Sequence, residues 1–219
     1  MAMKRYPLIV FDWDGTLMDS TAAIVHAIQA ASRDLGLPEP PERQARHVIG
    51  LGLVEALGTA VPELQPERYP EMVERYRHHF LSRDHELVLF EGIAAMVEEL
   101  AEDGYQLAVA TGKSRLGLDR ALRHSGLGRF IQASRCADEC HSKPHPQMLE
   151  ELMAEFGAQP EETLMIGDTS HDLQLARNAG VDALGVTYGA HPGTHLNEYG
   201  PLTCFDTVPE LAAWLKKHA

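Results

Sequence analysis

YPLIVFDWDGT, residues 6–16, carries an apolar run straight into two acids one residue apart, followed at once by a glycine. A Leu-Ile-Val-Phe run without alternation is the pattern of a strand buried on both faces, as in a parallel sheet. Asp12 and Asp14 close that strand. Two carboxylates so near each other repel, so a chain that builds the pair has a cation or a reaction to place there.

Working outward, residues 20–36 read as a helix, with Ser20 as its cap, Ile24, Ile28 and Leu35 as its apolar stripe and Gly36 as its stop. Residues 38–88 hold helical stretches and no convincing strand, broken at 38–41, 50–52, Pro62 and Pro66. After Gly92 the pattern alternates. A helix is predicted over 92–104, a strand over 105–111, a helix over 114–126 and a short strand over 129–134. A helix over 146–157, a strand over 163–168, a helix over 170–180 and a strand over 182–189 follow, and 204–219 supply a last short strand and helix. Strands alternating with helices imply a parallel sheet with right-handed crossovers. The predicted fold class is therefore α/β: a Rossmann-like parallel sheet flanked by helices, with a small helical cap domain inserted after the first strand. The predicted boundaries are 1–17 and 89–219 for the core and 18–88 for the cap.

The 219 residues carry a formal net charge of −13, which argues against nucleic acid or an acidic membrane as a partner. No apolar run approaches the length of a membrane span, and the apolar stretch at the start is too short for a signal peptide, so a cytoplasmic protein is expected. Three cysteines without framework spacing fit a reducing compartment. Cys136 and Cys140, with His141 and His145, do not match a standard zinc pattern.

In a parallel sheet, ligands bind beyond the carboxyl ends of the strands. The residues falling there are Asp12 and Asp14, Thr111 with Gly112, Gly167 with Asp168, and Tyr188 with Gly189, while Lys143 precedes the helix that feeds the next strand. Asp12 is an anion at neutral pH and can attack phosphorus without a base. An anionic nucleophile approaching a phosphate needs charge cancellation, which Mg²⁺ supplies through oxygen ligands: Asp12, Asp168 and the backbone carbonyl of Asp14. Lys143 can hold phosphoryl oxygens as a point charge, and Thr111 with the N–H groups after it can donate to them. Asp14 remains as acid for the leaving oxygen and base for the water. TGKS at 111–114 is not a P-loop, because Leu107 stands where that motif needs glycine.

FDWDGTLMDS (11–20), VATGKS (109–114), SKPHPQML (142–149) and IGDTSHDLQLARNAG (166–180), in this order, resemble the four motifs of the haloacid dehalogenase superfamily. GVTYG (185–189) is similar to the ending of its phosphoglycolate phosphatase-like group. The resemblance implies Asp12 as nucleophile, Asp14 as acid/base, Thr111 and Lys143 as phosphate ligands, and Asp168 and Asp172 at the magnesium. Asp172, four residues after Asp168, acts there through a water or by orienting Lys143. The same resemblance makes ARHVIGLGLVEAL (45–57) the cap loop that meets the leaving group, with Gly50 close to the ligand. Arg46 and His47 are candidate carboxylate ligands, or else surface residues. LFEGI (89–93) is the candidate hinge, with Glu91 where relatives carry Pro and Gly112 where they often carry Asn. The absence of any lysine between Lys4 and Lys113 excludes a Schiff-base lysine in the cap, and the presence of Asp14 argues against carbon–halogen cleavage.

The expected activity is Mg²⁺-dependent hydrolysis of a small phosphate monoester through an aspartyl-phosphate, with 2-phosphoglycolate as lead substrate. A sugar-phosphate mutase, a pyrophosphatase and a non-catalytic phosphometabolite-binding domain are the alternatives.

Overall fold

The computed structural model describes residues 4–219. In chain order the elements are β1 (Leu8–Phe11), β2 (Met18–Asp19), α1 (Thr21–Asp34), α2 (Glu42–His47), α3 (Leu53–Ala60), α4 (Tyr69–Ser82), β3 (Val88–Leu89), α5 (Ile93–Glu102) and β4 (Gln106–Thr111). They continue with α6 (Arg115–Ser125), β5 (Ala133–Cys136), α7 (Gln147–Phe156), β6 (Thr163–Gly167), α8 (Ser170–Ala179), β7 (Asp182–Val186), α9 (Gly193–Leu196), β8 (Thr203–Phe205) and α10 (Val208–His218).

Six strands form one parallel sheet in the order β5-β4-β1-β6-β7-β8. β1 is central, with Phe11 paired to Val109 on one side and Ile166 on the other. Its four side chains are fully buried, Ile9 and Phe11 in one core and Leu8 and Val10 in the other. That two-sided burial is why the strand reads as a continuous apolar run. The first core is closed by Met96 and Val97 of α5, Leu118 of α6 and Leu211 of α10, the second by Leu149 and Leu152 of α7 and Leu173 of α8. From β1 the chain builds β4 and β5 to one side, then crosses to build β6, β7 and β8 on the other. Asp12 thus sits at the point where strand order reverses, the place where such sheets form a crevice.

Helices α1–α4 form a separate cluster around Ile28, Leu57, Met72 and Phe80. They leave and rejoin the sheet domain through an antiparallel ribbon of β2 and β3, Met18 opposite Leu89. This ribbon is a departure from the expectation of no strand in 38–88. Two residues per strand are too few for an alternation to show, so only the pairing reveals it. The strand predicted over 129–134 lies at Ala133–Cys136 instead, because Leu127–Arg129 forms a 3₁₀ turn that delays it.

Candidate active site

Each acid is placed by a local device. Asp12 follows the last residue of β1, and its backbone N–H donates to the Ile166 carbonyl at 2.9 Å. Gly15 turns the chain away with φ +83°, and a Cβ there would collide with the Asp168 carboxylate. Gly189 and Gly167 show the same crowding, against Asp168 and Asp172 respectively. Asp168 accepts from Thr16 Oγ1 at 2.8 Å and from the Ala190 N–H at 2.7 Å. Asp172 occupies the third position of a capping box with Thr169 at the start of α8.

Lys143 joins two of these acids. Its Nζ donates to Asp12 Oδ1 at 2.8 Å and to Asp172 Oδ1 at 2.6 Å, with all three side chains essentially without solvent exposure. Burial alone would lower the lysine pKa, but the Asp12 and Asp172 carboxylates outweigh it and hold the ammonium above its ordinary value. Asp12 moves the other way: burial, opposed by Lys143 and reinforced by Asp172 and Asp14, raises it from 3.8 to about 7. Burial, with Asp12 and Asp172 nearby, raises Asp168 as well.

Two observations show that this donor set fits a divalent metal. Asp12 Oδ2 is buried with no hydrogen-bond partner. Asp12, Asp168 and Asp172 each offer an oxygen, and the three lie within 4.8 Å of one another. Three hard anionic oxygens suit a hard cation such as Mg²⁺. Both Asp172 oxygens are already engaged, one by Lys143 and the other by the Thr169 N–H and hydroxyl. That arrangement favours its role in orienting Lys143.

A pH signature follows. With its pKa raised to about 7 in the folded chain, Asp12 retains a proton that the unfolded chain releases near pH 4, so this stabilising contribution is present at low pH and is lost as pH rises through about 7. A metal needs the deprotonated acids. The increase in melting temperature on adding Mg²⁺ is therefore expected to be small at pH 5 and large at pH 8. Equal increments at both pH values would count against these acids as the ligands.

Asp14 accepts from Lys113 Nζ at 2.9 Å on each oxygen and from Ser20 Oγ at 2.6 Å. Ser20 was expected to cap α1; its hydroxyl serves Asp14 instead, and α1 starts without a side-chain cap. Thr111 ends β4 with its hydroxyl accepting from the Lys113 N–H at 3.2 Å. Lys113, Thr16, Ser20 and Thr169 hydrogen-bond to the candidate acids, contacts that sequence reasoning did not assign. Thr16 and Ser20 stand inside the first motif and Lys113 inside TGKS, so a signal was present. Their partners appear only in three dimensions.

The cap loop rests directly on this floor. A Cβ at Gly112 would run into the carbonyl oxygens of Gly50 and Leu51, which explains why this chain carries no side chain there. Gly50 itself has φ +93°. The Gly52 N–H donates to Ser142 Oγ at 2.9 Å, beside Lys143. The Arg46 guanidinium donates to the Gly189 carbonyl at 3.3 Å and to Glu42 at 2.9 Å, tying α2 to the loop after β7. The His47 carbonyl accepts from His171 Nε2 at 2.8 Å and from His191 Nε2 at 3.2 Å. His191 Nδ1 accepts from the Ser170 N–H, which assigns the proton to Nε2, and burial lowers its pKa to about 4, so the neutral form makes this clasp. Arg46 and His47 thus serve as cap-to-core contacts.

Between cap and strand ends lies a cavity of about 660 Å³, bordered by Asp14, Gly50, Gly112 and Lys113. Arg46 and His47 are not among its lining residues. Asp12, with no exposed surface, does not border it either.

Residues 9–186 match the family model described as haloacid dehalogenase-like hydrolase. The chain is 38% identical to "Probable phosphatase IndB" of Dickeya dadantii over 94% of this chain and 91% of that one. It is 32% identical to "Pyrophosphatase PpaX" of Halalkalibacterium halodurans, covering 93% and 94%, and 32% identical to "Phosphoglycolate phosphatase" of Vibrio cholerae, covering 95% and 96%. Among solved structures, a haloacid dehalogenase-like hydrolase of Streptococcus pneumoniae superposes with TM-score 0.83 at 27% identity over 97% of this chain and 99% of that one. A hydrolase of Pseudomonas syringae shares the fold with TM-score 0.88 at 23% identity over 97% and 99%. Four motifs gathered at one sheet edge, a cap inserted after β1 and a match over most of the length lead to one conclusion: the chain belongs to the haloacid dehalogenase-like hydrolases.

Proposed function

We propose that this hydrolase removes phosphate from a phosphate monoester through an aspartyl-phosphate on Asp12, with Mg²⁺ as cofactor. The observation that carries the reading is Asp12 itself: one carboxylate oxygen held by Lys143, the other buried and unpartnered. The unpartnered oxygen is free to meet a metal, and the oxygen beside Lys143, the donor to the phosphoryl group, is the one placed to attack phosphorus.

Lys143, the Thr111 hydroxyl and the Gly112 N–H hold the phosphoryl oxygens, and Asp172 keeps Lys143 aimed at them. Asp12 and Asp168 would hold the metal, which would supply positive charge for the approach of the anionic nucleophile to an anionic phosphate. Asp14 gives a proton to the leaving oxygen, then takes one from the water that cleaves the aspartyl-phosphate. Because Asp12 has no exposed surface, the cap must swing on the β2–β3 ribbon to admit substrate and close to exclude water.

Among the substrates that the relatives' names suggest, 2-phosphoglycolate leads, because several relatives bear the name phosphoglycolate phosphatase. Pyrophosphate is the second reading, favoured by the relatives named pyrophosphatase. The test is phosphate release from a panel of both, with sugar phosphates and nucleotides, in Mg²⁺ and in EDTA. Mg²⁺-dependent release is expected. Transfer of phosphate to a second hydroxyl without release would replace this reading with that of a mutase, and no turnover of any member would replace it with a binding domain.

A further inference from the structure

The cavity above Asp14 bears on what leaves. In the proposed reaction the leaving oxygen is protonated by Asp14, and Asp14 borders this cavity, so the leaving group must lie in it. Its walls are mainly apolar. Ile24 and Ile28 of α1, Ile49 of the cap loop, and Val73, Tyr76 and Phe80 of α4 face it. Val73, Tyr76 and Phe80 stand at i, i+3 and i+7, one continuous stripe of a helix. A volume of about 660 Å³ falls in the range of pockets that hold drug-sized ligands.

A second anionic group would be poorly served there. Burying a charge without a paired cation is costly. Of the lining cations, Lys113 is paired with Asp14 at 2.9 Å and Arg120 with Asp84 at 2.6 Å. Arg77 alone has no acidic partner among the described residues, and it is exposed, keeping its charge in contact with water. Arg46, read from the sequence as a candidate carboxylate ligand or else a surface residue, donates to Gly189 and Glu42 and does not line the cavity.

We propose that the preferred substrate is a phosphate monoester of an alkyl or aromatic alcohol without a second anionic group, its apolar body held against α1 and α4. The inference rests on the phosphatase reading and sets small substrates that carry a second anionic group, such as 2-phosphoglycolate and pyrophosphate, below a larger apolar one.

The experiment measures kcat/KM in Mg²⁺ for ethyl, butyl and hexyl phosphate beside 2-phosphoglycolate and pyrophosphate. Straight-chain esters keep the leaving alkoxide nearly constant in basicity, so their differences report binding to the cavity. The expected result is a rise of about fourfold per added methylene, the gain from burying one such group. Val73→Asp is expected to flatten that rise. A flat wild-type series, or 2-phosphoglycolate or pyrophosphate turned over faster than hexyl phosphate, overturns the proposal while leaving the phosphatase reading intact. Loss of 2-phosphoglycolate turnover in Arg77→Met would identify the residue responsible for such a result. Failure to release phosphate from every ester overturns both.

Discussion

Asp12→Asn is expected to lower phosphate release by about four orders of magnitude or more, because the amide is no nucleophile and no second group stands ready to replace it. Asp14 is too well held to substitute: its two oxygens are engaged by Lys113 and Ser20. The substitution is nearly isosteric, and it removes a carboxyl whose burial is already unfavourable to its charged form. The variant should therefore fold, with a melting temperature in EDTA no lower than that of the parent. Steady-state turnover and a thermal melt on the same preparation check both halves. A variant that melts normally and retains full turnover would remove Asp12 from the chemistry.

Lys143→Met is expected to combine the largest loss of stability with a loss of turnover. Lys143 is buried between Asp12 and Asp172, and its removal leaves those carboxylates facing each other and Asp168 without a cation. Breaking a buried ion pair by deleting one partner costs about 3–5 kcal/mol. Denaturant unfolding in EDTA should show a loss of that order, and added Mg²⁺ should recover part of it by supplying charge to the same acids. Turnover should stay low in saturating Mg²⁺, because the metal does not replace the donor to the phosphoryl oxygens. An unchanged midpoint in EDTA would mean that the acids tolerate one another without the lysine.

These two residues illustrate what could be read before any coordinates. Asp12 was legible because a strand buried on both faces leaves a period-free apolar run, and its end marks the sheet's ligand edge. Lys143 alone is an unremarkable residue before a proline. It became legible only as one of four motifs in order. The β2–β3 ribbon escaped because two paired residues leave no period. Ser20 was read as a helix cap because Ser before an apolar stripe usually is one, and its hydroxyl is instead drawn to the nearer, charged acceptor on Asp14. Arg46 was left open between a carboxylate ligand and a surface residue by its position in the cap loop. Which way a side chain points from a six-residue helix depends on tertiary contacts that no local pattern encodes, here the carbonyl of Gly189, 143 residues away.

The most direct test of the aspartyl-phosphate is rapid acid quenching of the Asp14→Asn variant during turnover of a phosphate-labelled nitrophenyl ester, whose leaving oxygen departs without a proton from Asp14, followed by peptide mapping. Without its base the second step should stall, so label is expected to accumulate on the peptide that contains Asp12 and to be absent when Asp12→Asn is added. Product formed by the parent enzyme with no protein-bound label at any quench time, in either the parent or the Asp14→Asn variant, would contradict the account.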